Sequence, residues 1–201
     1  MEWNIAFMGA VGAGKTTAIA AVSDIDCLDT EVAHYEGDPG SSKLTTTVAL
    51  DMGVLELGQG DRLRLQGAPG QERFDYMWDI LLMQAQAVVI MVHAGERAQQ
   101  DLDFYLAQVQ RLTEQLGRPV PIVIGLTHVD DAPGGMDRGF ADGACPCSQC
   151  RPPVVPVDAR DRASVVRLLQ VVTALLEIRE RHPEPALHQW LGRAGGNLMV
   201  Q

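Results

Sequence analysis

The sequence predicts an α/β fold of three layers, in which a mostly parallel six-stranded sheet with one antiparallel hairpin strand lies between helices. Short, continuously apolar runs alternate with longer stretches whose apolar residues recur at helical spacing, and such runs suit strands that are buried on both faces. The first run ends in a glycine-rich turn, as in doubly wound sheets. The 201 residues are 46% hydrophobic and 21% charged, so the chain can bury a sizeable core.

The first half of the chain predicts one strand and one hairpin. The apolar run from Trp3 to Met8 predicts the first strand, which is followed by the glycine-rich turn and a helix. Two further runs, at 48–57 and 62–66, flank the turn-forming segment Gly58-Gln59-Gly60-Asp61. Two runs around such a turn predict a hairpin, and therefore one antiparallel strand in an otherwise parallel sheet.

Strand–helix repeats complete the chain. Apolar runs predict strands at 87–92, 120–126 and 154–157. Two stripes at helical spacing predict amphipathic helices that pack on the sheet: Leu102, Leu106, Val109, Leu112 and Leu116, and then Val165, Leu168, Leu169, Val172, Leu175 and Leu176. We therefore expect one domain over residues 1–181 and a C-terminal tail over residues 182–201.

Composition and charge exclude several functions. The 16 basic and 26 acidic residues give a net charge of −10, which argues against sequence-independent binding of nucleic acid. No apolar run reaches the roughly 18 residues of a membrane span, and the first residues lack the basic start of a signal peptide. Motifs for myristoylation and prenylation are also missing. We expect a cytoplasmic protein without stable membrane insertion.

A phosphate-binding motif carries the strongest functional signal. The segment from Gly9 to Thr16 reads G-x-x-x-x-G-K-[ST], directly after a predicted strand and before a predicted helix. Its glycines allow backbone N–H groups to wrap phosphate oxygens; the lysine bridges the β- and γ-phosphates, and the hydroxyl of the last residue binds Mg²⁺. The predicted nucleotide-binding residues here are Gly9, Val11, Gly12, Ala13, Gly14, Lys15, Thr16 and Thr17.

Four later segments resemble motifs of the Ras-like small GTPases, in order and spacing, over residues 3–181. Gly67-Ala68-Pro69-Gly70-Gln71-Glu72-Arg73-Phe74 is similar to their second switch, D-T-A-G-Q-E, and Thr47 to Met52 is similar to the end of their first switch. Thr127-His128-Val129-Asp130 stands in place of N-K-x-D, and Asp158-Ala159-Arg160 in place of S-A-K. The form of the second switch resembles the bacterial gliding-motility and conservon branch.

The resemblance implies a G domain that binds GTP or GDP with Mg²⁺ and hydrolyses GTP slowly. Thr47 would contact Mg²⁺ and the γ-phosphate, although Thr45 and Thr46 compete for this role. Gly70 would give its N–H to the same phosphate, and Gln71 would orient the attacking water. Lys15, Thr47 and Gln71 are thus the catalytic candidates, and Thr16 and Thr47 are the Mg²⁺ ligands.

Base recognition is implied at two segments. Asp130 would accept hydrogen bonds from the guanine N1–H and exocyclic amine, which adenine does not supply. The backbone N–H of Ala159 would meet the guanine O6. The other candidate residues are the remaining members of the two motifs that face the base: Thr127, His128, Asp158 and Arg160.

The sequence also departs from the family pattern. Gly67 replaces the Mg²⁺-linked aspartate of the second switch, so metal binding is weakened or another acid, such as Asp51, substitutes. Thr127 and His128 replace the asparagine and lysine of the guanine motif, and Asp158 replaces a serine. We expect guanine preference to depend mainly on Asp130 and Ala159.

The expected function is a molecular switch that docks a partner while GTP is bound. The phosphate loop contains no arginine, so an effector and a GTPase-activating protein are expected, the latter of the roadblock type by resemblance to the bacterial branch. Residues 44–51 and 74–78 would form the docking surface, unless the aromatic residues of the second segment are core. Gly67 keeps open a scaffold that binds nucleotide without hydrolysis, and a P-loop kinase is a further alternative.

A cysteine cluster lies outside these motifs. Cys145, Cys147 and Cys150 have a spacing that suits three thiolate ligands of zinc. A redox pair or idle, reduced thiols are the alternatives.

Overall fold

The computed structural model describes residues 1–26, 28–34, 46–70, 75–117, 120–129 and 152–181, without the side chains of residues 28–34 and 46–49. Within these ranges the chain forms seven strands and four helices. In chain order these are β1 (Glu2–Met8), α1 (Lys15–Val22), β2 (Leu28–His34), β3 (Thr46–Gly58), β4 (Asp61–Gly67), α2 (Asp75–Gln84), β5 (Ala87–His93), α3 (Ala98–Leu116), β6 (Ile122–Thr127), β7 (Val154–Pro156) and α4 (Arg162–Arg181).

The strands form one sheet in the order β2-β3-β4-β1-β5-β6-β7. Strands β4, β1, β5, β6 and β7 are mutually parallel, and β3 is antiparallel to both of its neighbours. The predicted fold class, a mostly parallel sheet with one antiparallel hairpin strand, is confirmed. The predicted count of six strands is one too low, because β2 adds a seventh strand at the edge beyond β3.

The hydrophobic core has one layer on each face of the sheet. Alternate residues of β1 supply the two layers: Ala6 and Met8 pack with α2 and α3, and Ile5 and Phe7 pack with α1 and α4. This explains why the central strands read as continuous apolar runs, since neither face meets water. The two predicted helical stripes lie on α3 and α4, and their buried members fill these layers.

Local chemistry explains the element ends that matter for the site. The carboxylate of Asp161 accepts hydrogen bonds from the backbone N–H groups of Ala163 (3.1 Å) and Ser164 (3.0 Å), and so caps the start of α4. The predicted hairpin turn joins β3 and β4 at residues 59–60. No helix in the described part of the chain has the length and apolar character needed to cross a membrane.

Candidate nucleotide-binding site

The phosphate loop leaves the carboxyl end of β1 and enters α1, as the sequence predicts. A Cβ on Gly9 would lie 2.2 Å from the carbonyl oxygen of Met91 on β5, so only glycine allows the loop to pass so close to the neighbouring strand. Gly14 takes a left-handed conformation (φ 92°) at the start of α1. The loop therefore brings a series of backbone N–H groups to the amino end of α1, where they favour anions.

Lys15 is the buried cation of this loop. Its side chain is 7% exposed, and Nζ donates hydrogen bonds to the carbonyl oxygens of Gly9 (2.7 Å) and Ala10 (2.8 Å). Burial lowers the pKa of Lys15 to about 8, and the nearby carboxylate of Asp51 opposes this shift. The ammonium group is thus held by carbonyl dipoles in a site where a phosphate would supply the counter-charge.

A carboxylate stands beside the predicted Mg²⁺ ligand. The hydroxyl of Thr16 donates a 2.5 Å hydrogen bond to Oδ2 of Asp51, which lies on β3 directly opposite Gly67 of β4. A Cβ on Gly67 would lie 3.0 Å from both Cβ and Oδ2 of Asp51. A side chain at position 67 would therefore crowd Asp51, whose carboxylate lies beside the phosphate loop.

These oxygen donors suit magnesium. A threonine hydroxyl and a carboxylate at the end of the phosphate loop are hard oxygen donors, the kind that Mg²⁺ selects when substrate phosphates and water complete its shell. Among the residues that the structure describes, no group of three or more histidine, cysteine, aspartate or glutamate side chains could hold a metal by itself. The predicted zinc ligands Cys145, Cys147 and Cys150 lie outside the described residues.

A cavity of about 650 Å³ continues from the phosphate loop towards the ends of β6 and β7. Thr127, at the end of β6, is 2% exposed, and its hydroxyl lies 3.1 Å from the carbonyl oxygen of Ala13 and 3.2 Å from that of Val92. It therefore ties the loop to β5 and β6. The cavity lining brings together eight of the predicted residues: Gly12, Gly14, Thr17, Thr127, His128, Asp158, Ala159 and Arg160.

His128 has an aromatic neighbour that the motif comparison did not anticipate. It takes a left-handed backbone conformation (φ 56°) immediately after β6, and its ring is exposed. The ring meets the ring of His93 edge to face, with centroids 4.3 Å apart and an interplanar angle of 85°. An imidazole supported in this way replaces the long aliphatic stem of the family's lysine at the mouth of the cavity.

Asp158 is paired within its own segment. Its carboxylate accepts hydrogen bonds from the backbone N–H (3.0 Å), Nε (3.0 Å) and Nη2 (3.1 Å) of Arg160. The hydrogen bonds from the Arg160 side chain are the main reason why the pKa of Asp158 lies below its usual value. The negative charge at this position is therefore paired with the guanidinium of Arg160.

The switch segments are only partly described. Gly70 lies against the loop, since a Cβ there would be 2.6 Å from the backbone nitrogen of Val11. Thr47 lies in β3 opposite Ala33 of β2, and its side chain is among those not described. Gln71 and Asp130 lie outside the described residues, so their predicted roles stay predictions.

The aromatic segment after the second switch divides between core and surface. Met77 and Trp78 are buried, with 5% and 2% exposure, so the docking interpretation is wrong for these two side chains. Tyr76 is exposed and leaves that interpretation open at its position, whereas Phe74 lies outside the described residues. Sequence reasoning did not single out Tyr105 of α3, whose hydroxyl reaches Gly70; helical spacing marks it only as a core residue.

Solved GTPase structures share this architecture over most of the chain. The Arl6 BBS3 small GTPase of Trypanosoma brucei, with bound nucleotide analogue GppNp, matches with a TM-score of 0.61 and 16% identity, over 88% of this chain and 98% of that one. A mutant of S. thermophilus NFeoB bound to mGDP matches with a TM-score of 0.58 and 20% identity, over 85% of this chain and 60% of that one. The fold is that of a Ras-like small GTPase.

Sequence comparison supports the same superfamily. The chain is 31% identical over 123 residues to the Ras-related protein Rab-7L1 of Homo sapiens. The aligned region covers 55% of this chain and 58% of that protein. Rab-7L1 of Rattus norvegicus matches with the same identity, over 55% of this chain and 57% of its own length. The chain thus spans less than two-thirds of these relatives. No model of a known protein family matches, and the bacterial branch stays a prediction.

The lowered pKa of Lys15 predicts that nucleotide affinity falls in mild alkali. The ammonium is charged below its pKa of about 8 and loses its proton above it, so the attraction to phosphate weakens as pH rises. Each pH unit beyond the pKa removes about nine-tenths of the remaining charged form. GDP affinity measured by titration from about pH 7 to 9 should therefore decline.

The matched control is Lys15→Met, which should bind more weakly at every pH and show a flatter profile. Titration of the nucleotide itself affects the unmodified chain and Lys15→Met equally. It therefore cancels in the ratio of their two GDP affinities. A ratio that does not change across this range would contradict the prediction.

Proposed function

We propose that this chain is a small GTP-binding protein that acts as a molecular switch and hydrolyses GTP to GDP slowly. The observation that carries the proposal is the continuity of the site: the phosphate loop with buried Lys15 opens into a cavity lined by Thr127, His128 and Ala159. A phosphate tail on the loop would place its nucleoside in this cavity. The Rab-7L1 similarity and the small-GTPase fold support this function.

Guanine recognition would depend on Asp130 and Ala159. The backbone N–H of Ala159 suits the guanine O6, and the carboxylate of Asp130 suits the N1–H and amine of guanine. Adenine would leave that carboxylate without donors, and an unpaired carboxylate in a binding site is costly. Thr127 would support the site by holding the loop through the carbonyl oxygen of Ala13 rather than by reading the base.

Mg²⁺ would be held by the Thr16 hydroxyl, with Asp51 in the role of the missing carboxylate at position 67. When bound, Mg²⁺ would neutralise charge on the β- and γ-phosphates. Lys15 would hold the same phosphates from the other side, Gln71 would orient the attacking water, and Thr47 and Gly70 would become ordered against the γ-phosphate. Loss of that phosphate would release the two switch segments.

Partner docking is supported by an apolar stripe on α2. Tyr76, Ile80 and Met83 are 37%, 51% and 49% exposed, and their spacing places them on one side of the helix that follows the second switch. Binding of an effector to this stripe would depend on the conformation of the second switch, which directly precedes α2. We also propose a GTPase-activating partner, of the roadblock type if the bacterial branch holds, and a cytoplasmic location.

Two alternatives remain distinct from the switch. Gly67 keeps open a scaffold that binds nucleotide without hydrolysis, whereas the carboxylate of Asp51 beside Thr16 favours the switch. A P-loop kinase would need an arginine-rich lid and an acceptor pocket, and among the described residues that line the cavity Arg160 is the one arginine.

Base preference tests the proposal directly. The unmodified chain should bind GTP at least about tenfold more tightly than ATP, because adenine lacks the donors for Asp130. Asp130→Asn should shift preference from guanine to xanthine, measured by titration with GTP, ATP and XTP. The neighbouring Asp131→Asn is the matched control and should keep guanine preference. Equal affinity of the unmodified chain for all three nucleotides would refute guanine recognition.

Hydrolysis separates the switch from the scaffold. In single-turnover assays the unmodified chain should convert GTP to GDP slowly, and Gln71→Leu should reduce the rate roughly tenfold or more, since water is no longer oriented. Gln100→Leu, on the exposed side of α3, is the control and should leave the rate unchanged. If Gln71→Leu hydrolyses at the unmodified rate, another group orients the water.

The exchange of Asp51 and Gly67 tests the metal site. Asp51→Gly should raise the Mg²⁺ concentration needed to slow GDP release by about 10- to 100-fold. This is the usual cost of removing a supporting carboxylate. Gly67→Asp alone should lower stability, because its Cβ would meet Asp51 at 3.0 Å. The double variant Asp51→Gly, Gly67→Asp should restore the Mg²⁺ dependence. Glu56→Gly, an exposed acid on β3, is the control; an effect equal to that of Asp51→Gly would contradict the assignment.

A further inference from the structure

Two buried aromatic residues hold consecutive carbonyl groups of the second switch. Nε1 of Trp78 on α2 donates a 2.8 Å hydrogen bond to the carbonyl oxygen of Pro69, and the hydroxyl of Tyr105 on α3 donates a 3.3 Å hydrogen bond to that of Gly70. Trp78 is 2% exposed and Tyr105 is 4% exposed. A polar tip at this depth makes a directed contact, since a buried donor without a partner is costly.

The two donors belong to a mutually packed aromatic cluster. The ring of Trp78 lies 5.5 Å from that of Tyr105 and 6.0 Å from that of Phe104, the latter edge to face. Phe104 and Tyr105 are themselves packed edge to face at 5.1 Å. Each ring is therefore confined by the other two, and the donors are held in place by α2 and α3 together.

Anchoring the Pro69 carbonyl fixes the direction of the Gly70 N–H group, and anchoring the Gly70 carbonyl restrains the other side of the same residue. The carbonyl of Pro69 and the N–H of Gly70 belong to the same planar trans peptide, so they point in opposite directions. Trp78 holds the carbonyl end, and the N–H of Gly70 therefore points away from Trp78. Gly70 itself lies against the phosphate loop, where a Cβ would be within 2.6 Å of the Val11 nitrogen and 3.0 Å of the Gly9 oxygen.

We infer that Tyr105 and Trp78 are positioning residues that aim the Gly70 N–H at the terminal phosphate of a bound triphosphate. The inference rests on the proposed function and deepens it, because it assigns discrimination between GTP and GDP to a fixed pair of side chains. A diphosphate would lack the phosphate that this N–H would contact, so the two residues would matter only for the triphosphate state. They also connect that contact to α2, the helix that carries the exposed stripe.

Tyr105→Phe is the sharpest test, because it removes one oxygen atom and keeps the ring in its cluster. The affinity for a nonhydrolysable GTP analogue, divided by that for GDP, should fall about 3- to 10-fold, the usual effect of losing one neutral hydrogen bond. Affinity for GDP and the melting temperature should stay close to those of the unmodified chain. Trp78→Phe removes the second donor and should lower the same ratio.

The matched control is Thr113→Val. It removes a hydroxyl from the same helix, but that hydroxyl donates to the carbonyl oxygen of Gln110, within α3 itself (2.9 Å). The control should leave the ratio of the two affinities unchanged. An effect equal to that of Tyr105→Phe would overturn the inference.

The remaining outcomes are distinguishable. An unchanged ratio in Tyr105→Phe overturns the inference and leaves the proposed function intact. Equal losses of affinity for both nucleotides, with a lower melting temperature, show a merely structural role and also overturn it. If the unmodified chain binds neither nucleotide, the proposed function fails and the inference fails with it.

Discussion

The site depends on the buried positive charge of Lys15, which forms no ion pair with any residue that the structure describes. Nζ of Lys15 is held by the carbonyl oxygens of Gly9 and Ala10, and burial lowers its pKa to about 8. Carbonyl dipoles compensate an ammonium group only in part, so its desolvation cost is offset most fully by an anion in the loop. Two contacts hold the loop in this arrangement. Gly9 passes close to Met91 at the start of the loop, and α1 begins at its end.

The parallel sheet places the phosphate loop beside the carboxyl ends of the neighbouring strands. Since β1, β5 and β6 run in the same direction, their carboxyl ends deliver the phosphate loop, His93 and Thr127 to one edge of the sheet. The Thr127 hydroxyl lies within hydrogen-bond distance of carbonyl oxygens from the loop and from β5, which makes the edge one rigid unit. The polar atoms proposed to contact a nucleotide are thereby positioned by the ends of the strands.

Patterns within short segments were predictable from the sequence, and features that depend on pairing across the fold were not. The phosphate loop and both long helices follow from motif spacing and helical periodicity. Strand β2 was not predicted, because Leu28–His34 contains charged residues at Asp29 and Glu31 and forms a strand only by pairing with β3. The burial of Trp78 likewise needs α3 beside it, and no local pattern shows which face of α2 is covered.

Gly67, which departs from the small-GTPase pattern, lies directly opposite Asp51 in the sheet. Residues directly opposite in an antiparallel pair project from the same face of the sheet, so a carboxylate beside Thr16 can come from β3 or from β4. A side chain at position 67 would be crowded, because its Cβ would lie 3.0 Å from Cβ and Oδ2 of Asp51 and 3.1 Å from Cδ1 of Ile19. Glycine at 67 therefore leaves room for Asp51 beside Thr16, and the proposed Mg²⁺ site would keep one carboxylate, supplied by β3 instead of β4.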